Sequence, residues 1–437
     1  MSGNVPTGCR LPKARPRFVN FFTTSRPRAR PPDGAPPAWV RALSEPPTTV
    51  PHMRILHTSD WHLGRSFHRE GMLEHQAGFV DHLLEVVGSE RVDLVVVAGD
   101  IYDRALPAVD AVRLADETLA RLAASRAQVV LTSGNHDSAQ RLGFSSRLID
   151  AAGVFIRTDP AGVGTPVLLE DEHGPVAVHG IPYLDPDAVR EPWGLPGRSH
   201  EAALTEAMRR VRADLDKRRG TRSIVLAHAF VAGAEPSDSE RDISVGGVSL
   251  VPTSVFDGID YVALGHLHGR HTLHDRVRYS GSPLAYSFSE ATHHKGSWLV
   301  DLDRDGTVRA EFIDAPVPRP LARIRGELEQ LLADPGLARH EGSWLQVTLS
   351  DEVRPVRAME RLRQRFPHTL VLGFEATPTG IGMLPTQRPS SRSDHAIAHE
   401  FVTQLRGTPP SEAEAALLRE AVDSCCEDTD LDPVAAG

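Results

Sequence analysis

Seven residues suited to holding a metal ion stand just beyond apolar runs. Asp60 and His62 follow "MRILHTS", Asp100 follows "LVVVAG", and Asn135 follows "QVVLTSG". His228 closes "SIVLAH", and His266 and His268 follow "YVALG". In extended chain, residues i and i+2 point to the same side, so Asp60 with His62, and His266 with His268, can each converge on one point. Any one of these elements alone is weak, since a lone histidine at a strand end is more often a hydrogen-bonded structural group. The Gly-Asp and Gly-Asn pairs also suit turns. Together, in this order, they read as one constellation. Carboxylates, imidazoles and one amide, without a thiolate, suit divalent manganese, iron or zinc. Seven donors exceed the needs of one tetrahedral ion and fit two ions sharing a bridging carboxylate. Two such ions roughly 3.5–4 Å apart clamp a phosphate and generate hydroxide near neutral pH, which is the chemistry of phosphoester hydrolysis.

These residues need strands that deliver them to one place. The apolar runs before Asp60, Asp100, Asn135 and His228, and the run before His266, are buried-strand patterns, as is "VAVHGIP". Helix-like stretches cover about 70–87, 107–125 and 199–218. Alternating strands and helices predict an α/β domain, whose site forms beyond the carboxyl ends of the strands. "WLVDLDRDGTVRAEFI" predicts a hairpin turning at Asp305-Gly306. Residues 321–375 are predicted as helix, strand, helix, strand. Residues 377–394 are a Gly/Pro/Ser-rich linker, and two helices come after it at about 395–406 and 410–423. Ser411 and Glu414 form a capping box for the second of these. The expected segments are thus a leader at 1–52, a first domain at 53–316, a small α+β domain at 317–376, the linker at 377–394, helices at 395–425 and an acidic disordered tail at 426–437.

The 437 residues have room for two or three domains. No apolar run reaches the roughly 18–20 residues needed to span a bilayer, and Cys9, Cys425 and Cys426 make neither a disulfide framework nor a thiolate zinc site. A cytoplasmic, nucleoid-associated protein is expected. The net charge of −10 is uneven. Residues 1–52 carry eight Lys/Arg against Asp33 and Glu45, a local +6 that leaves −16 on the rest. That leader, with 11 of the 34 prolines, cannot bury enough apolar surface to order itself. An organellar targeting peptide and a disordered basic arm are open readings. Upstream sequence ahead of a true start at Met53 is the favoured one, because the compact pattern begins there.

The blocks "DWH", "GDIYD", "GNHD", "LAH" and "GHLH" resemble the signature of the calcineurin-like metallophosphoesterases. That resemblance implies a β-sandwich flanked by helices, with a small α+β capping domain and C-terminal helices after it. "HTSDWHLGRSF", "GNHDSAQRLGFSSRL", "DYVALGHLHGRH" and "YSGSPLAYSFSE" further resemble the SbcD family of nuclease subunits. It implies one metal on Asp60, His62 and His268, another on Asn135, His228 and His266, and Asp100 bridging them. His136 matches the family's catalytic histidine, with Asp137 expected to orient it. Also implied are two divalent ions, usually manganese, and DNA as substrate, cut as a duplex exonuclease and as a single-strand or hairpin endonuclease. An SbcC-type ABC ATPase with a coiled coil is the implied partner, with a homodimer inside a heterotetramer. The chain has no Gly-x-x-x-x-Gly-Lys-Ser/Thr loop of its own, so ATP binding falls to that partner. An acidic body is a poor match for DNA, whose binding draws on many Lys/Arg–phosphate contacts. Weak DNA binding by the chain alone is expected. The alternative is a stand-alone phosphodiesterase or phosphatase acting on a small nucleotide or phosphoprotein; a silent scaffold would require a lost ligand, and none is lost.

Neighbouring residues carry plainer readings. Trp61 and Phe67 are expected in walls or core. Tyr102 and Asp103 either support the metal shell or are solvated turn residues. "YSGSPLAYSF" shapes a groove or forms a buried strand and turn. "DKRRGTR" is expected as a solvated helix end, and His271, His274, His293 and His294 as surface or supporting groups.

Overall fold

The strands predicted from unbroken apolar runs are apolar on both faces because both faces are covered. The computed structural model describes residues 52–241, 243, 250–375 and 393–427. The predicted leader (except His52), the linker up to residue 392 and the tail from 428 lie outside the described residues.

In the first unit, residues 53–318, two six-stranded sheets face each other. The chain enters through β1 (Met53–Thr58), passes a two-residue hairpin, β2 (Ser66–Phe67) and β3 (Glu70–Gly71), then runs through β4 (Leu94–Ala98), β5 (Gln128–Thr132) and β6 (Val154–Arg157). Strands β1, β4, β5 and β6 are parallel neighbours. The chain then builds β7 (Val167–Asp171), β8 (Gly174–Ile181), β9 (Arg222–His228), β10 (Tyr261–Gly265), β11 (His271–His274) and β12 (Val277–Tyr279). In this second sheet β8, β9, β10 and β12 are parallel, with β7 and β11 antiparallel at the edges. It returns to the first sheet as the predicted hairpin, β13 (Gly296–Leu302) and β14 (Val308–Asp314), with β13 antiparallel to β1.

Alternation sorts the apolar side chains. Ile55, Leu94, Val96, Val130, Ile224, Leu226 and Tyr261 pack between the sheets. Their neighbours Leu56, Val95, Val97 and Val129 lie under the helices Leu73–Ser89 and Val109–Ala123. Val225 and Val262 lie under the helices Pro186–Trp193 and His200–Leu215. Each such buried side chain is worth about 1.5–3 kcal/mol, so a polar substitution on either face of these strands is costly. His57 is a polar group inside the sandwich, wholly buried, with Nδ1 2.8 Å from the Tyr261 hydroxyl and Nε2 3.1 Å from the Leu264 carbonyl oxygen.

The second unit begins at Arg319. Here the prediction needs a correction. Residues 321–326 are not helical but form β15 (Leu321–Gly326), parallel to β16 (Trp344–Leu349), which is parallel to β17 (Thr369–Phe374). Ala322 and Ile324 are buried while Arg323 and Arg325 are not, a period of two. The adjoining "GELEQLL" hides it by continuing as the helix Leu328–Ala333. Ala322, Ile324, Leu345 and Val347 close a core with Leu328, Leu362 and Phe366. The last helices span Asp394–Arg406 and Glu412–Glu427. The capping box is present: Ser411 N donates to Glu414 Oε2 at 2.8 Å, and Glu414 N lies 3.4 Å from Ser411 Oγ.

Candidate metal centre

The carboxyl ends of β1, β4 and β5 in one sheet, and of β9 and β10 in the other, open onto the same region. Asp60 (φ 53°), His62 (φ 47°), Asp100 (φ 50°) and His266 (φ 108°) all have positive φ. Such backbone costs about 1–3 kcal/mol per residue and persists only where surroundings over-determine it. Interlocked main-chain bonds do so here: Asp60 N to Gly99 O at 3.1 Å, His62 N to Asp100 O at 3.0 Å and Leu63 N to Ile101 O at 2.9 Å. The glycines before Asp100, Asn135 and His266 are a spatial requirement. A Cβ at Gly99 would stand 2.3 Å from His228 Nδ1, at Gly134 2.1 Å from Asp100 Oδ1, and at Gly265 1.8 Å from the Ala98 carbonyl oxygen.

All seven predicted ligands meet. Asp60, His62 and His268 bring donor atoms within 4.8 Å of one another, as do Asp60, Asp100 and His228, and His62, Asp100 and His136. His62 Nε2 lies 3.0 Å from His268 Nε2. Asn135 Oδ1 lies 2.9 Å from His228 Nε2 and 3.1 Å from His266 Nδ1. Asp100 Oδ2 is 3.7 Å from His62 Nε2 and 3.5 Å from His228 Nε2, so it stands between the two groups.

These contacts fit divalent cations. His228 Nδ1 donates to the Ala98 carbonyl oxygen at 2.9 Å, which leaves Nε2 without a proton. That lone pair then faces the Asn135 amide oxygen, also an acceptor, and a cation is what satisfies two acceptors at such a distance. Asn135 Nδ2 and His62 Nδ1 are buried without a hydrogen-bond partner. Burial, reinforced by the Asp100 charge, holds the Asp60 carboxyl well above the usual carboxylate range, and burial also raises Asp100. Burial pushes His62 and His266 well down and His228 to about 4, so all three imidazoles are neutral and free to ligate. Buried carboxylates crowded together demand positive charge, and neutral imidazoles can share it without repulsion.

His136 sits beside this set. Its main-chain N donates to Asp100 Oδ1 at 2.8 Å. The predicted orienting role of Asp137 is not what the geometry shows. The Asp137 carboxylate accepts from Gly134 N at 2.9 Å, Tyr102 N at 2.9 Å and Ile101 N at 3.1 Å, which ties the β4 loop to the β5 loop. Burial and the Asp100 charge push its carboxyl up to about 7. The ring of His136 is instead turned by Asp103, whose carbonyl oxygen lies 2.8 Å from Nδ1. Burial lowers the His136 imidazole below its ordinary value.

Several supporting groups escaped the sequence reading. Gln76 Nε2 donates to the His62 carbonyl oxygen at 2.8 Å and to the Tyr286 hydroxyl at 2.9 Å, and that hydroxyl donates to the Trp61 carbonyl oxygen at 2.7 Å. Arg65 lies over the Tyr286 ring, 5.1 Å from its centroid, with Nε 3.7 Å from Asp103 Oδ1. Ser239, Glu290 and Lys295 back His268. Only "YSGSPLAYSFSE", whose last residue is Glu290, carried a signal, and it supports the site as buried framework. Trp61 and Phe67 are core residues, each 1% exposed. His271 and His293 are partly buried and His274 and His294 exposed. In "DKRRGTR", Arg222 departs from the solvated expectation: it is buried and paired with Asp171 through two contacts, one at 3.0 Å.

Residues 53–270 match the family model described as calcineurin-like phosphoesterase. The structure is similar to TT1561 of Thermus thermophilus (14% identity, 60% of this chain and 99% of that chain, TM-score 0.35). It is also similar to a novel archaeal phosphodiesterase (13%, 60% and 100%, TM-score 0.28) and a dimetal phosphatase from Danio rerio (17%, 61% and 100%, TM-score 0.36). Residues 53–270 are a calcineurin-like metallophosphoesterase domain, from a family of phosphoester hydrolases that use divalent metals. Residues 317–404 match a second model, designated SbcD_C and described as the type 5 capsule protein repressor C-terminal domain, which associates the chain with SbcD-like proteins. No described helix is long and apolar enough to cross a membrane.

Proposed function

We propose that this chain is the metal-dependent DNA nuclease subunit of an SbcCD-type complex, acting in repair and recombination on nucleoid DNA in the cytoplasm. What carries it is the coexistence in one chain of a complete seven-residue donor set with His136 beside it, and a C-terminal match designated SbcD_C. Asp60, His62 and His268 would hold one divalent ion, Asn135, His228 and His266 the other, and Asp100 both; manganese is the preferred ion. Ions held there supply Lewis acidity toward phosphate oxygens and an acidified water. The chain's own residues do the rest. Asp137 fixes the loop that presents Asp100. Asp103 accepts from His136 Nδ1, which leaves Nε2 as the ring atom that exchanges a proton at the reacting phosphate. The half-buried Arg65 guanidinium adds positive charge beside the pair.

Two surfaces support the proposed partners. Leu106, Val109, Phe144 and Leu148 are exposed apolar side chains. The two segments that carry them are joined by Arg141 Nη1 donating to the Ala105 carbonyl oxygen at 2.9 Å. Such exposed apolar side chains on two joined segments suit a twofold dimer, because large exposed apolar patches mark association sites. Ile397, Phe401 and Leu417 are exposed on the last two helices, which suits docking of an SbcC-type ATPase on its coiled coil.

The test is cleavage of a hairpin-ended duplex by the purified chain with manganese, with and without SbcC and ATP, beside an Asp100→Ala control. Cleavage that needs manganese and Asp100 and rises with SbcC and ATP is the expected result. Hydrolysis of bis-p-nitrophenyl phosphate with no DNA cleavage in any arm would move the substrate to a small phosphodiester.

A further inference from the structure

His268 is held from behind by buried polar groups. Its Nδ1 lies 2.5 Å from Ser239 Oγ, and that oxygen lies 2.5 Å from Glu290 Oε1. Glu290 is ion-paired with Lys295, which also donates to the His268 carbonyl oxygen at 2.7 Å and to Ser282 Oγ at 2.9 Å. The His268 main-chain N donates to Glu240 Oε1 at 2.6 Å. Ser239, Glu290 and Lys295 are 8%, 1% and 7% exposed, so water does not compete for these contacts.

The protons in this chain have one consistent order. An ionised Glu290 can only accept, so Ser239 donates to it. Ser239 Oγ must then accept from His268 Nδ1–H, and the lone pair falls on His268 Nε2, the atom facing His62 Nε2. The other cluster is built differently. His228 Nδ1 rests on the uncharged carbonyl of Ala98, and Asn135 brings no charge. Carboxylate backing fixes a ligand histidine's tautomer and raises its basicity. The Asp60–His62–His268 cluster has that backing as well as a carboxylate of its own.

We propose that Ser239 and Glu290 are positioning residues that make the Asp60–His62–His268 cluster the tighter of two unequal divalent-cation positions, so that it fills first; this rests on the two-ion centre proposed above. Lys295 keeps Glu290 ionised and ties the His268 main chain at the same time.

The experiment is a titration of the metal-stripped full chain with manganese(II), with free ion read by electron paramagnetic resonance. The wild type is expected to take up two equivalents in two resolved steps. In Glu290→Gln and Ser239→Ala the tighter step weakens about 10–100-fold, while the weaker step moves less than about threefold, so the two merge. Ser239→Thr, which keeps the hydroxyl, restores the separation; a merely structural role would loosen both steps together and would not be rescued. Unchanged steps in both variants, or equal weakening of both steps, overturns the proposal while leaving the two-ion centre in place. Failure of the wild type to bind two equivalents removes the two-ion centre and the proposal with it.

Discussion

His136 Nδ1 lies 2.8 Å from the main-chain carbonyl oxygen of Asp103, so the ring proposed to face the reacting phosphate is aimed by the loop after β4 and not by the adjacent Asp137. His136→Asn is expected to keep manganese uptake unchanged and to lower kcat on the order of 10²–10⁴-fold, the usual range for a positioned proton-transfer group. Near wild-type cleavage by a fully loaded variant would remove His136 from the chemistry.

The glycine before Asn135 offers a steric test. Gly134→Ala places a methyl 2.1 Å from Asp100 Oδ1 and 2.5 Å from Asp100 N, both in the interlocked loops. It should cost about 1–3 kcal/mol in chelator and weaken metal uptake. Gly78→Ala, in the helix Leu73–Ser89 where an added Cβ meets nothing within 4 Å, should stabilise by about 0.5–1 kcal/mol instead. Urea denaturation of both variants measures the difference.

Stability should fall in acid through His57. Burial pushes its imidazole from 6.5 down to about 3. The unfolded chain therefore binds a proton that the folded chain refuses between those values. The stabilisation is full above pH 6.5 and is lost as pH falls toward about 3, at about 1.4 kcal/mol per pH unit. His57→Gln should flatten the pH dependence of unfolding free energy in that window by one proton. An unchanged slope would mean His57 is protonated in the fold.

Metal removal should be felt in the fold as well as in activity. Asp60 and Asp100 are almost wholly buried carboxylates gathered at one place. Manganese at about 100 times its dissociation constant should add about 2.7 kcal/mol per independent site. Thermal melts in chelator and in manganese should separate accordingly, and Asp100→Ala should lose most of the separation.

Exposed Phe144 and Leu148 belong to the proposed dimer surface together with Leu106 and Val109. Phe144→Glu with Leu148→Glu should halve the mass seen by light scattering and leave the melting temperature within about a degree, as expected for surface changes. An unchanged mass places the association elsewhere or removes it.

Much of this architecture could be read directly from the chain, because each metal-suited residue sits within four positions of the end of a run such as "LVVVA" that only a covered strand tolerates. The glycines before Asp100, Asn135 and His266 were visible too, though their reason is tertiary: each backbone passes within contact of a residue from another strand. The backing of His268 was out of reach, since Ser239 and Glu290 lie 29 and 22 positions away and meet only in the fold. β15 was missed because the arginines alternating with Ala322 and Ile324 look as helical as the Leu328–Ala333 segment beyond them.

The seven candidate ligands come from both sheets: Asp60, His62, Asp100 and Asn135 from one, His228, His266 and His268 from the other. Ions bound among them would therefore act as a rivet through the seam of the sandwich. Any sliding of one sheet over the other would be felt first as a stretched coordination set. A cavity cut at Ile55 or Tyr261, far from any phosphate, should then loosen the grip on metal before it lowers the helix content.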